Sequence, residues 1–320
     1  MSGVESLGAQ ACGVWTRREA LQVLSPGELR QRLAGGQWQA PWPGVYADAG
    51  HELDHTQRAF AAVLAGGGQL RRGAQPSIRT FACGRTAARV HGLMLIDDDD
   101  PATATCDHLQ DDVAGWTHGR SRHGAARDRI LHRRHLVLRA GDVVRAPSGL
   151  WLTCLPRTLL DCAALLTPEA LVCLLDDLLH RGRASPDQLA QLVHQRAGQP
   201  GVAALRQAVA DSDGRSESPT ESLARLLLLP RLPHLVPQVE LRGRSGSLLA
   251  RFDLADKRLR LAVELDGRRG HAGDAMVAKD RRRDRHTRDL GWATERGTWF
   301  DVRCRQREFV ERVVSASRAR

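Results

Sequence analysis

Between Ser247 and Leu290 the chain reads SLLARFDLADKRLRLAVELDGRRGHAGDAMVAKDRRRDRHTRDL, and no other stretch limits its fold so tightly. In a first β-like run, Leu248, Ala250, Phe252 and Leu254 alternate with Leu249, Arg251 and Asp253. In a second, Leu259, Leu261, Val263 and Leu265 alternate with Arg260, Ala262, Glu264 and Asp266. Side chains two residues apart on a strand share a face, so Glu264 and Asp266 point the same way. If the runs pair antiparallel with their apolar faces together, Asp253 joins them on the polar face. Parity settles the face but not the register. A tight turn at Asp256-Lys257 sets Asp253 opposite Arg260 and leaves Glu264 about four residues along, roughly 13 Å at strand rise. A looser loop from Ala255 to Arg260 sets Asp253 beside Glu264. Only the second register gathers carboxylates around a cation; the first leaves a surface hairpin whose acids balance its arginines.

The chemistry such a cluster suits is metal-dependent hydrolysis. A hard ion such as Mg²⁺ takes oxygen ligands in octahedral geometry and keeps several waters. It lowers the pKa of a bound water and polarises a phosphodiester. His271 follows, a residue type that titrates near neutrality and can accept the water's proton. Lys279, Arg281, Arg282, Arg283 and Arg285 come next on a helical segment that can hold a phosphate backbone without reading bases. The bland alternative for that run is a solvated basic face. Upstream, Ser218, Pro219 and Glu221 sit at the N-cap, N1 and N3 positions of a helix, the pattern of a capping box. Glu221 therefore has a structural reason to be there.

Composition points to the same class of partner. The formal net charge is +10, carried almost wholly by arginine, since lysine occurs only at Lys257 and Lys279. The planar guanidinium binds two phosphate oxygens at once, which favours nucleic acid as partner. Aromatic residues make up 4% of the chain, too few for base-stacking platforms along a single strand, so double-stranded DNA is expected over single strands. Seven scattered cysteines form no CxxC pair. With no secretory segment in view, they fit reduced thiols in the cytoplasm. No apolar run approaches the roughly 20 residues of a membrane span, so no membrane partner is expected. Nothing in the sequence fixes an oligomeric state.

A chain of 320 residues holds two or three domains. An α/β (α+β) multidomain architecture is expected in four segments, 1–48, 49–165, 166–212 and 213–320. In the first, Thr16 caps a helix running to Leu24, Ser25-Pro26-Gly27 breaks it, and Glu28–Leu33 forms a second helix bearing Arg30 and Arg32. The segment QWQAPWPGVYA then reads as a hairpin. Helix, turn, helix and wing is one way to place arginines in a major groove; a helical pair that only packs on its neighbour is the alternative. Residues 49–165 alternate helix and strand signals. Asp97–Asp100, followed by Pro101, reads as a solvated loop. Residues 166–212 are helical, a bridge, and the polar stretch DSDGRSESP at 211–219 is the best internal boundary.

The segment TRREALQVLSPGELRQRLAGGQWQAPWPGVYA resembles the N-terminal winged helix-turn-helix of AbiEi-type antitoxins of type IV toxin–antitoxin systems, with GQW…PGVY its most specific part. The Ser-Pro-Gly turn departs from that pattern and is expected to shorten the second helix. The segment FDLADKRLRLAVELDGRRGHAGDAMVAKDRRRDRHTRDLGW resembles the Vsr-like domain, related to very-short-patch-repair endonucleases, of the PD-(D/E)XK superfamily. The resemblance covers most of residues 215–310 and implies a restriction-endonuclease-like mixed sheet flanked by helices. It implies that Asp253 and Glu264 bind a divalent metal such as Mg²⁺, joined by Asp266, which stands where the superfamily usually has lysine. It also implies a first-helix acid turned toward the metal, the place of Glu221, and a basic role for His271. Arg268 and Lys279 are the candidate cations in place of the lysine. Together the resemblances imply a Mg²⁺-dependent DNA endonuclease. The rival is a non-catalytic DNA-binding regulator of a toxin–antitoxin locus, with a toxin partner encoded nearby.

Overall fold

A computed structural model describes residues 12–67, 80–96, 109–115, 123–126, 129–243, 245–266, 285 and 287–320. The chain is a mixed α/β protein that divides into two compact units, residues 1–166 with 197–205 and residues 167–196 with 206–320. Among the described residues no helix is long and apolar enough to cross a membrane.

The first unit opens with β1 (Val14–Thr16), α1 (Arg17–Ala20), α2 (Pro26–Ala34), β2 (Trp38–Trp42) and β3 (Val45–Asp48), the strands ordered β1-β3-β2. Thr16 caps α1 in a capping box with Glu19, yet the helix lasts one turn and ends at Ala20 rather than Leu24. Ser-Pro-Gly lengthens the second helix rather than shortening it. The Ser25 hydroxyl accepts from the Glu28 N–H at 3.2 Å and the Glu28 carboxylate accepts from the Ser25 N–H at 2.7 Å. With Pro26 in the first turn, the motif starts α2 early and lengthens it.

The unit continues through α3 (His55–Ala65), β4 (Thr80–Ala82), α4 (Gly84–Val90), β5 (Leu109–Gly115), β6 (His123–Ala126), β7 (Arg129–Arg134), β8 (Val143–Arg145), β9 (Trp151–Thr153) and α5 (Leu155–Ala163). Its second sheet runs β6-β7-β5-β4-β9-β8. Trp42, Val45 and Ala47 share one core with Phe60, Val63 and Leu64 of α3 and with Val113, Leu131 and Leu152 of that sheet. The hairpin is thereby fixed on the larger sheet by apolar burial. Asp112, fully buried, accepts from Arg134 Nε at 2.8 Å and from Arg85 Nη1 at 3.3 Å, so its charge is compensated inside. Asp97–Asp100 lie outside the described residues.

The second unit is built around β10 (Val236–Arg242), β11 (Leu248–Asp256), β12 (Leu261–Asp266) and β13 (Ala293–Thr298), in that order across the sheet. The first two pairings are antiparallel and β12–β13 is parallel. Helices α6 (Pro168–His180), α7 (Pro186–Gln195) and α9 (Pro219–Leu228) precede the sheet, α8 (Val202–Asp211) starts among residues of the first unit and ends in this one, and α10 (Trp299–Cys304) and α11 (Gln306–Arg318) close the chain. Helix α9 packs on α6 and reaches β11, while α11 packs on β12 and β13. The polar stretch 211–219 lies within this unit. Asp213 N–H donates to Asp176 Oδ1 at 2.6 Å, and the Asp211 carbonyl accepts from Arg225 Nη1 at 2.8 Å.

Gly297 shows how closely α11 approaches the sheet. A Cβ there would stand 2.6 Å from Phe309 Cε2 and 3.1 Å from Leu265 Cδ2. Phe309 is fully buried and cannot swing away. Gly297→Ala is expected to destabilise the unit by about 1–3 kcal/mol through overpacking, read as a lower urea midpoint. A midpoint equal to wild type would show that the helix can retreat at no cost.

Candidate functional site

The site rests on register. The pairs Leu254↔Val263, Ala255↔Ala262 and Asp256↔Leu261 leave Lys257–Arg260 as the connecting loop. Asp256 shapes that loop: its Oδ1 accepts from the Arg258 N–H at 2.8 Å and the Leu259 N–H at 3.3 Å, and Arg260 closes it with φ +47°. Continued one step past its last pair, Leu254 and Val263, the same register sets Asp253 level with Glu264. This is the looser of the two loops, the one that sets Asp253 beside Glu264. Directly opposed side chains lie about 4.5–5.5 Å apart at Cβ.

Neighbouring strands extend the row. In the parallel pairing Glu264 meets Arg296 and Asp266 meets Thr298. Arg296 Nη2 lies 3.5 Å from Glu264 Oε2, with the Glu264 side chain buried and the Arg296 side chain 42% exposed. On the other side, Gln238 falls between the pairs Pro237↔Leu254 and Val239↔Phe252, opposite Asp253. A line of Gln238, Asp253, Glu264 and Arg296 thus crosses the four strands. Leu265, alternating with Glu264, points to the far face, where Gly297 and Phe309 lie.

Glu221 approaches this row from α9. It is buried, and Gln238 Nε2 donates to its Oε2 at 2.8 Å. The capping box is only half formed. The Ser218 hydroxyl accepts from the Glu221 N–H at 3.3 Å, but the Glu221 carboxylate takes the Glu217 N–H at 2.9 Å and the Ser218 hydroxyl at 2.8 Å rather than the Ser218 N–H. Its carboxylate is tied to the helix start and to the sheet at once.

Electrostatics mark the centre of the row. The Asp253 carboxyl is pushed up to about 6, first by burial and then by the neighbouring charges of Glu221 and Glu264. The Leu265 N–H, donating to Asp253 Oδ2 at 2.7 Å, and the Arg251 guanidinium oppose that rise. Arg251 is itself held in a two-pronged pair with Glu217 at 2.8 and 3.0 Å. Crowded, part-desolvated carboxylates of this kind repel one another until a proton or a cation intervenes. The donors are all hard oxygens, which suits Mg²⁺ or Mn²⁺ and not a soft metal. Among the described residues no three His, Cys, Asp or Glu side chains form a group able to hold an ion by themselves.

The remaining sequence candidates divide by position. Asp266 is exposed at the end of β12 and Arg285 is exposed. Arg268, His271, Lys279, Arg281, Arg282 and Arg283 lie outside the described residues. In the first unit, Arg30 is exposed on α2, its Nε donating back to the Pro26 carbonyl at 3.3 Å. Arg32 lies over the Trp38 ring, 5.6 Å from its centroid, so part of its surface is spent on packing. Reading the sequence alone missed Gln238 and Arg296. Both join the acidic pair only through strand pairing, and neither carries a local signal.

No family model matches the chain. Two curated relatives from Mycobacterium tuberculosis are similar to it, the uncharacterized protein MT2308 of strain CDC 1551 and the uncharacterized protein Rv2248 of strain H37Rv, each 31% identical over 157 residues. The matched span is 48% of this chain and 57% of each relative, so the chain covers little more than half the length of the relatives it matches.

Proposed function

We propose that the second unit is a divalent-cation-dependent endonuclease domain of the Vsr-like, PD-(D/E)XK kind, and that the chain cleaves double-stranded DNA. The observation that carries this reading is the register that sets Asp253 opposite Glu264 with Glu221 facing them. Mg²⁺ bound there would supply an activated water and neutralise a phosphate oxygen. Asp253 and Glu264 would hold it through carboxylate oxygens, with Asp266 at the open end of β12. Arg296, 3.5 Å from Glu264, takes the role left open by the absent lysine, holding the phosphate as charge develops. His271 is the proposed base, and the arginines around 281–285 the proposed backbone contacts.

Nicking of supercoiled plasmid in Mg²⁺ tests the reading. Wild type is expected to cut, Asp253→Ala to be inert, and Arg296→Ala to lose about 100-fold or more, as when a transition-state donor is removed. A second reading, a DNA-binding regulator with an idle nuclease fold, draws on the lack of a ready three-residue metal group among the described residues. It predicts tight operator binding and no cleavage of any DNA or RNA offered.

The α1–α2 pair with its hairpin is proposed as an AbiEi-like winged helix that delivers the chain to DNA, and a toxin encoded nearby as its protein partner. Co-purification with the product of an adjacent toxin gene tests that partner, and consistent failure to associate removes it. Arg30→Ala is expected to weaken DNA binding and reduce the slope of log K against log salt by about one unit at unchanged stability. Arg32→Ala instead is expected to lower stability through the lost contact with Trp38. An unchanged salt slope in Arg30→Ala would remove α2 from the interface.

A further inference from the structure

Gln238 carries two costly features at one residue. Its backbone is left-handed, φ +53°, in the middle of a strand, a conformation that glycine or asparagine tolerates and glutamine rarely adopts. Its amide oxygen is shielded from solvent and no donor among the described residues reaches it. Buried polar atoms are normally hydrogen-bonded, and each exception calls for a reason. Both features stand opposite Asp253, at the centre of the acidic row.

The orientation of the amide is fixed by its partner. Nε2 donates to Glu221 Oε2 at 2.8 Å, and a reversed amide would set oxygen against carboxylate. Oε1 is therefore the atom left for something else. Left-handed backbone in mid-strand re-aims a side chain that regular pleating would place differently, and such strain persists where surrounding structure over-determines it. Here the residue that carries this neutral oxygen stands beside the carboxylates of Glu221 and Asp253. Divalent cations take amide and carboxylate oxygens together, and a neutral donor adds a ligand without adding repulsion.

We propose that Gln238 is a fourth member of the acidic site, its amide nitrogen fixing Glu221 and its amide oxygen serving as the neutral ligand toward the divalent cation that Asp253 and Glu264 attract. The inference rests on the nuclease reading of that site and adds a residue to it. A role as a clamp for Glu221 alone would explain the nitrogen but leave the oxygen and the strained backbone without purpose.

Mn²⁺ binding to the full chain, measured by electron paramagnetic resonance, separates the possibilities. Gln238→Asn keeps a residue that tolerates the left-handed backbone and withdraws the amide by one methylene. It is expected to bind Mn²⁺ about 10-fold to 100-fold more weakly than wild type. Gln238→Glu keeps the length and adds a charge. It is expected to lower the melting temperature in EDTA, through repulsion with Glu221 and Asp253, and to bind Mn²⁺ more tightly than wild type. Asp253→Asn is the control and is expected to lose binding. Gln238→Asn and Gln238→Glu that both bind like wild type, with Asp253→Asn defective, overturn the role of Gln238 and leave the acidic site standing. Wild type that binds no Mn²⁺ sensitive to Asp253→Asn overturns both.

Discussion

Asp253→Asn is expected to make the protein more stable at pH 7 while abolishing the proposed cleavage of DNA. The carboxyl is raised from 3.8 to about 6 by burial and by its acidic neighbours. Between those two values the folded state binds the proton more tightly than the unfolded chain. Stability from this group is full below pH 4 and is lost as pH rises through 6, at most about 3 kcal/mol. Asparagine keeps an acceptor for the Leu265 N–H and has no charge to desolvate. The variant should therefore gain up to about 2–3 kcal/mol at pH 7, a rise of roughly 6–12 °C in melting temperature for a unit of this size. The difference should vanish near pH 4, where wild type is also protonated. Scanning calorimetry at pH 4 and pH 7 in EDTA checks both points. A variant no more stable than wild type at pH 7 would mean that the carboxylate is already compensated without a cation. Mg²⁺ should narrow the gap by stabilising wild type, since a ligand that binds only the folded state adds stability by mass action.

The second large effect lies outside the site. Arg225 and Asp176 are both buried, at 4% and 1% exposure, and Arg225 Nη2 meets Asp176 Oδ2 at 2.9 Å. Asp176 Oδ1 also accepts from the Asp213 N–H, and Arg225 Nη1 donates to the Asp211 carbonyl. One pair thus joins α6, α9 and the polar stretch between α8 and α9. Burial raises the Asp176 carboxyl even with Arg225 beside it, so removing the guanidinium strands a charge in the interior. Arg225→Ala is expected to cost about 3–5 kcal/mol, whereas replacing both partners by apolar residues of similar volume costs far less. Urea unfolding of the single and double variants measures it. A single variant within about 1 kcal/mol of wild type would show that water reaches Asp176 freely.

How far the sequence reaches depends on whether a feature is local. Alternation in 248–254 and 259–266 is local, and it is enough to put Asp253, Glu264 and Asp266 on one face. Register is not. It turns on a four-residue loop shaped by Asp256 and closed by a left-handed Arg260, and nothing about an arginine announces positive φ. Ser25-Pro26-Gly27 reads as a breaker because Pro and Gly end helices, yet at N-cap, N1 and N2 the same residues begin one. The stretch 211–219 reads as a boundary because it is polar, but its Asp213 N–H and Asp211 carbonyl are bonded to Asp176 and Arg225. Arg296 and Gln238 enter the acidic row from strands on either side of the β11–β12 pair, and only pairing brings them there. Cap motifs and strand parity are written in adjacent residues; ion pairs across 49 positions are not.

Phosphodiester cleavage as a function of Mg²⁺, for wild type beside Glu264→Gln, tests the central claim most directly. Glu264 supplies one of the two opposed carboxylates, and glutamine preserves its shape and its acceptor for Arg296. Wild type is expected to nick supercoiled plasmid with saturable dependence on Mg²⁺ and to stop on addition of EDTA, and Glu264→Gln to be slower by about 1,000-fold or more, as expected when a group essential to the transition state is removed. Equal rates for the two proteins, or cleavage that persists in EDTA, would contradict a cation-dependent nuclease centred on Asp253 and Glu264.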